Sequence, residues 1–273
     1  MAECGFFTRM YRGFFEEGYI KGYFLRTDDP IVAAMEPTFI NFIKAQIHTL
    51  YIEMTSINAY DASMIFSKQF LQIILPFFAI IGGIRFYNAY NGIMKFQYSR
   101  KTKSSYRKNV FINMNEHSFK IALALFLSHV LFGLVMAFLS DELSLGALNR
   151  TLFSDILGSS FYQEHIVLYF ILEDFVTIFM MSYAYTFLAE SMVLMGYNIK
   201  RVVGTPLIYY YGMSVIGFAL MQISNIGVYF IPSIYMSSGD YSFSTIPMIL
   251  INMIPLFIAF LIFMVKTKYV EIQ

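Results

Sequence analysis

The sequence predicts an all-α, polytopic membrane protein, and three observations predict it. Hydrophobic residues make up 58% of the 273 residues, against about 45–50% in soluble domains. Charged residues make up only 14%, where about 25% is usual. The apolar residues fall in long continuous stretches rather than in the alternating pattern of a membrane barrel. Such a chain cannot cover a core of its own size with charged surface. That excludes an ordinary soluble enzyme, a disordered regulator and a nucleic-acid binder.

Five apolar stretches are long enough to cross a bilayer: Phe70–Phe86, Phe119–Leu139, Ile166–Ala189, Leu207–Ile231 and Ile246–Val265. A span must be helical, because lipid offers backbone groups no hydrogen-bond partners. Basic residues set the orientation. Arg85, Lys95, Arg100, Lys101, Lys103, Arg107, Lys108 and Lys120 lie in or beside the loop between spans one and two. Lys200 and Arg201 lie between spans three and four, and Lys266 and Lys268 follow span five. The loops 140–165 and 232–245 hold only Arg150, with Asp141, Glu142, Asp155, Glu164 and Asp240. The positive-inside rule therefore predicts a cytoplasmic C-terminus in a multi-pass cell-membrane protein.

Residues 1–68 read as an interfacial or extracytoplasmic segment before a permease-like membrane domain over 69–273. No signal peptide is recognisable in them. Apolar residues between Phe39 and Ile57 recur at helical spacing, interrupted by Lys44, His48 and Glu53. This predicts an amphipathic helix on the membrane or on the bundle. Five spans with an inner C-terminus put the N-terminus outside. A sixth span hidden in 1–68 would change that, and the sequence leaves the matter open.

Four places could carry function. Glu173 and Asp174 stand eight or nine residues inside span three, where acidic groups are costly and point to ion, proton or cationic-substrate handling. A later start for span three would move both to the interface. Adjacent helical residues point about 100° apart, so only one of the pair is expected to face a small site. His129, midway along span two, suits a hydrogen bond between helices better than a proton relay. Pro76 and Pro255 predict kinks. The loop Asn91–Asn109 is basic, with apolar Ile93, Met94 and Phe96 near its start. It reads as a positive-inside anchor or as a docking element with an apolar anchor and a polar rim. Catalytic combinations and a Cys/His metal pattern are absent from the sequence, and no cofactor is expected. Cys4 is the single cysteine.

The run Pro76–Asn109 resembles the second membrane helix and following loop of ABC-2-type transporter permeases. The matching positions are Gly82, Gly83, Asn91, Gly92, Ile93, Lys95, Ser99, Arg100, Tyr106 and Lys108. Lys101 departs from a frequent proline, and Tyr90 from a frequent glutamate. The resemblance implies a six-helix permease subunit of a bacterial exporter. Its loop, with Asn91, Gly92, Ile93, Met94, Lys95, Phe96, Ser99 and Arg100, would couple to a separate ATP-binding subunit. A second permease subunit, identical or related, would complete the path for a peptide, lipid or drug-like substrate. The chain has no G-x-x-x-x-G-K-[ST] of its own to hydrolyse ATP. The alternative is an ion- or proton-coupled carrier working through Glu173, Asp174 and His129, without an ATPase.

Overall fold

The computed structural model describes residues 59–94, 103–139, 152–158, 161, 164–196, 198–237 and 244–268. Every element among the described residues is helical. Five helices are long and apolar enough to cross a membrane: Ser67–Gly92, Ser105–Leu139, Ile166–Val193, Ile199–Met221 and Thr245–Lys268. The all-α membrane architecture is therefore as the sequence predicts. The expected amphipathic helix over 39–57, and most of the 1–68 segment with any sixth span, lie outside the described residues.

The chain divides into two compact units, residues 1–65 with 133–148, and residues 66–132 with 149–273. The described residues of the first are the ends of two helices, 59–65 and 133–139. The second holds the rest.

Helix α1, Ala59–Ala89, runs without a break through Pro76 and across the 68/69 boundary drawn from hydropathy. It gives way at Tyr90–Met94 to a short π-type turn, and Gly92 leaves the helical path (φ −82°, ψ −114°). Helix α2, Lys103–Leu139, has 37 residues. It begins well before the apolar stretch at Phe119, so half of the basic loop is helical. At 1.5 Å per residue α2 is about 55 Å long, against a hydrocarbon core of about 30 Å. Its basic first turns therefore extend beyond its apolar length.

Helix α3, Ser154–Leu157, is a single turn. Span three is built from α4, Ile166–Asp174, a π segment, Phe175–Met180, and α5, Met181–Val193. Span four, α6, is Ile199–Met221 rather than the Leu207–Ile231 stretch that hydropathy selects. Two features cause the shift. Asn198 caps the start, its side chain accepting from Lys200 N at 3.0 Å, as asparagine does at a helix N-terminus. At the other end Gly227 folds a 3₁₀ segment, Asn225–Phe230, back against the backbone of Leu220 and Met221. A β-carbon at 227 would not fit there. A short helix α7, Pro232–Ser237, follows.

Span five is interrupted as Pro255 predicts. Helix α8, Thr245–Asn252, ends at Met253, and α9, Ile254–Lys268, continues. The Asn252 amide donates to Tyr229 O at 3.2 Å and Met248 O at 2.9 Å, serving carbonyls beside the break. The start of α8 is tied to the α3 turn. Asp155 accepts from Thr245 N at 2.9 Å and from its hydroxyl at 2.5 Å, and Thr245 Oγ1 accepts from Phe153 N at 2.8 Å. Asp155→Ala is expected to cost about 1–2 kcal/mol through loss of these charge-assisted bonds. The check is a lower thermal midpoint of the purified protein in detergent, with Asp155→Glu intermediate.

Span three forms the centre of the second unit. α5 packs on α6 and α9, and its residues from Ala184 to Val193 are buried without exception. Two apolar clusters fill the interior. One gathers Leu75, Ala79, Ile178, Met181, Tyr185, Tyr210, Tyr235 and Met248. The other gathers Phe86, Tyr106, Val110, Met114, Phe187, Val202, Ala259 and Phe263. Burying a phenylalanine or methionine side chain contributes roughly 1.5–3 kcal/mol in water. Within lipid that driving force is absent, and close packing takes its place. Gly82 and Gly83 supply it. A β-carbon on Gly82 would lie 2.5 Å from Thr186 Cγ2, and one on Gly83 would lie 2.7 Å from Val202 Cγ1.

Candidate functional site

The acidic pair of span three sits in a closed charge network. Glu173 is 0% exposed and Asp174 1%. Lys68, at the start of span one and 1% exposed, faces both. Its Nζ lies 2.6 Å from Glu173 Oε2 and 3.2 Å from Asp174 Oδ1. The same ammonium lies 5.7 Å from the centre of the Phe170 ring, a cation–π contact. His129 of α2 closes the cluster from the other side. Its Nδ1 donates to Asp174 Oδ2 at 2.6 Å, and its Nε2 meets Ser67 Oγ at 2.8 Å. Spans one, two and three therefore meet at this point.

Each member has a local reason for its place. Residues 67 and 68 are neighbours on α1, so Ser67 reaches the histidine while Lys68 reaches the carboxylates. The π segment starts at the residue after Asp174. Such widened turns are rare and cluster at functional positions. The Thr177 hydroxyl donates to Glu173 O at 2.7 Å, occupying a carbonyl at this transition. Val176 O, inside the π segment, accepts from the Tyr235 hydroxyl at 3.0 Å. Burial, with the Glu173 carboxylate adding to it, holds the Tyr235 hydroxyl protonated well above the ordinary phenol range.

Charge balance defines what the cluster can do. Two carboxylates face one ammonium and an imidazole. With His129 protonated the charges cancel; with it neutral, one negative charge remains in the interior. Burying an uncompensated charge is costly. Among the described residues Glu173 Oε1 has no hydrogen-bond partner.

The sequence reading expects only one of Glu173 and Asp174 to face a common site. Both do. The reach of lysine, whose ammonium stands on a four-carbon stem, spans the angle between two adjacent helical residues. Both lie inside a 28-residue helix long and apolar enough to cross a membrane, and both are buried by protein. His129 makes the interhelical hydrogen bond expected of it, with a carboxylate as its partner.

Lys68 and Ser67 escape sequence reasoning because they fall just before the first apolar stretch. A second polar site escapes it too. Glu190, 0% exposed, accepts from Ser118 Oγ at 2.9 Å, and its Oε1 has no hydrogen-bond partner among the described residues. The available signal is that 190 falls near the inner end of an apolar run.

Of the expected coupling loop, Lys95, Phe96, Ser99 and Arg100 lie outside the described residues, as do the side chains of Ile93 and Met94. The base of the loop is described. Tyr90 and Tyr106 hydroxyls hydrogen-bond at 2.5 Å, bridging the end of α1 to the start of α2. Phe86 stacks on Tyr90 with ring centres 5.7 Å apart. The Asn91–Gly92 break thus lies directly beyond a tied pair of helix ends. Among the described residues no group of acidic, histidine and cysteine side chains forms a metal site. Neither a protein-family model, nor a curated protein, nor a solved structure matches the chain.

Proposed function

We propose that the chain is the membrane-spanning permease subunit of a bacterial ABC-type exporter in the cell membrane. Its C-terminus and the loop around residues 91–109 face the cytoplasm, where a separate ATPase docks. A second permease subunit completes the path for a peptide, lipid or drug-like substrate. The observation that carries this reading is the Tyr90–Tyr106 tie beneath the Asn91–Gly92 break. A push on a loop with a tied base moves both helices together, and α1 and α2 lead straight to the membrane interior. The resemblance of Pro76–Asn109 to ABC-2 permeases supports the same assignment.

Affinity purification of the tagged chain from its native host tests it. A stoichiometric ATPase is expected to co-purify. It is expected to be lost when Ile93, Met94 and Phe96 are changed together to aspartate, with expression intact. Recovery of the chain without any ATPase overturns the proposal.

The buried cluster of Lys68, Glu173, Asp174 and His129 favours one second reading, an ion- or proton-coupled carrier. That reading expects Glu173→Gln to abolish transport in vesicles lacking ATP, while loop substitutions leave it intact.

A further inference from the structure

A groove of about 700 Å³ opens between the first turns of α2 and the last turns of α9. Its polar lining is Arg107, Lys108, Thr267 and Lys268, and its apolar lining is Phe111, Phe260, Phe263 and Met264. Among the described residues that line it, none is acidic. The arrangement has two halves. Three cationic side chains stand at one end, where two helix termini meet. The aromatic rings continue from there along the helices toward their apolar middle. Phe111 and Phe263 have ring centres 5.3 Å apart and form the floor. The Arg107 guanidinium lies 5.8 Å from the Phe263 ring centre and also contacts Met264 Sδ. Both contacts hold the side chain against Phe263 and Met264, two of the lining residues.

We propose that this groove binds an anionic phospholipid, with the headgroup phosphate on Arg107, Lys108 and Lys268 and an acyl chain along Phe111 and Phe260. Two arguments select this occupant. The charge calls for an anion, and arginine forks match phosphate geometry. The apolar half is continuous with surface that faces lipid. Leu261 is 63% exposed and Phe257 59%, on the same helix. A soluble anion would leave that half unused, and an acidic protein segment would have to bury its backbone against an acyl-chain surface. A phospholipid satisfies both halves with one molecule. This site is separate from the buried cluster and does not depend on the proposed ATPase.

The test uses the full chain, purified and placed in nanodiscs of equimolar phosphatidylglycerol and phosphatidylcholine. Native mass spectrometry then counts the lipid retained on release. The chain is expected to retain phosphatidylglycerol preferentially. Lys108→Gln/Lys268→Gln is expected to weaken that retention about twenty-five-fold, at roughly fivefold for each basic residue near a membrane surface. Lys200→Gln, an exposed lysine outside the groove, is expected to leave it unchanged. Should the double variant fail to elute as a folded protein, Lys268→Gln alone carries the test, with a loss of about fivefold. Equal retention of the two lipids by the unaltered chain overturns the proposal. So does full displacement by free glycerol phosphate, which would make the site one for a soluble anion. An acidic protein that co-purifies, and is lost in the double variant while lipid retention persists, also overturns it.

Discussion

Lys68→Met is expected to be the most damaging single substitution in the second unit, at about 3–5 kcal/mol, the usual effect of removing one partner from a buried ion pair. Among the described residues the ammonium is the only lysine or arginine charge within 4 Å of Glu173 and Asp174. Without it Asp174 keeps His129, but Glu173 has no ion-pair partner among the described residues. The double variant Lys68→Met/Glu173→Gln is therefore expected to recover most of the loss. Replacing a whole buried ionic set by uncharged groups is often neutral, whereas breaking it is not. The measurement is the fraction of protein surviving as a monodisperse gel-filtration peak after heating in detergent. A Lys68→Met protein as heat-resistant as the parent would show that the ion pair contributes nothing to holding span one against span three. Recovery in Lys68→Met/Asp174→Asn but not in the Glu173 double would assign the orphaned charge to the wrong residue.

Gly83→Leu is expected to prevent spans one, three and four from assembling. Even a β-carbon at 83 would lie 2.7 Å from Val202 Cγ1 and 2.8 Å from Ala189 Cβ. The second contact matters more, because an alanine β-carbon cannot rotate away and moves only with its backbone. Gly83→Ala gains up to about 1 kcal/mol of helix propensity. Overpacking typically costs about 1–3 kcal/mol, so the net change is a loss. Leucine adds further carbons to a gap already closed. Gly212 provides the contrast, since a β-carbon there has open space around it. Gly212→Ala is expected to be neutral or stabilising by up to about 1 kcal/mol. Thermal midpoints of Gly83→Ala and Gly212→Ala should move in opposite directions. If they move together, the close approach at Gly83 does not limit packing.

Hydropathy made the class and the five described spans readable, because a helix crossing lipid leaves a long apolar run whatever packs against it. It placed the ends less well. Span four shows why. Its start is set by Asn198 and its end by the fold-back at Gly227, and both are local hydrogen-bonding and steric events that a 19-residue average erases. The basic stretch before Phe119 continues α2 for the same reason: charge hides a helix from hydropathy without preventing one. Within the site, Glu173, Asp174 and His129 stood out because each interrupts an apolar run. Lys68 did not, because a lysine at the edge of a span reads as an ordinary interfacial anchor. Its burial depends on span three, far along the chain, and no local pattern reports that. The groove was equally silent, since Arg107 and Lys268 come together only when spans two and five are packed.

The position of Lys68 also bears on how the protein is made. Its partner Glu173 lies roughly a hundred residues further on, so a ribosome adding about 5–20 residues per second leaves span one waiting for several seconds. During that interval the lysine has no carboxylate to meet. It sits at the second residue of its span, where its long stem can keep the ammonium at the headgroups. Span one can therefore enter the bilayer early, with the lysine drawn inward only when span three arrives. The ion cluster is therefore expected to form only once span three has joined spans one and two.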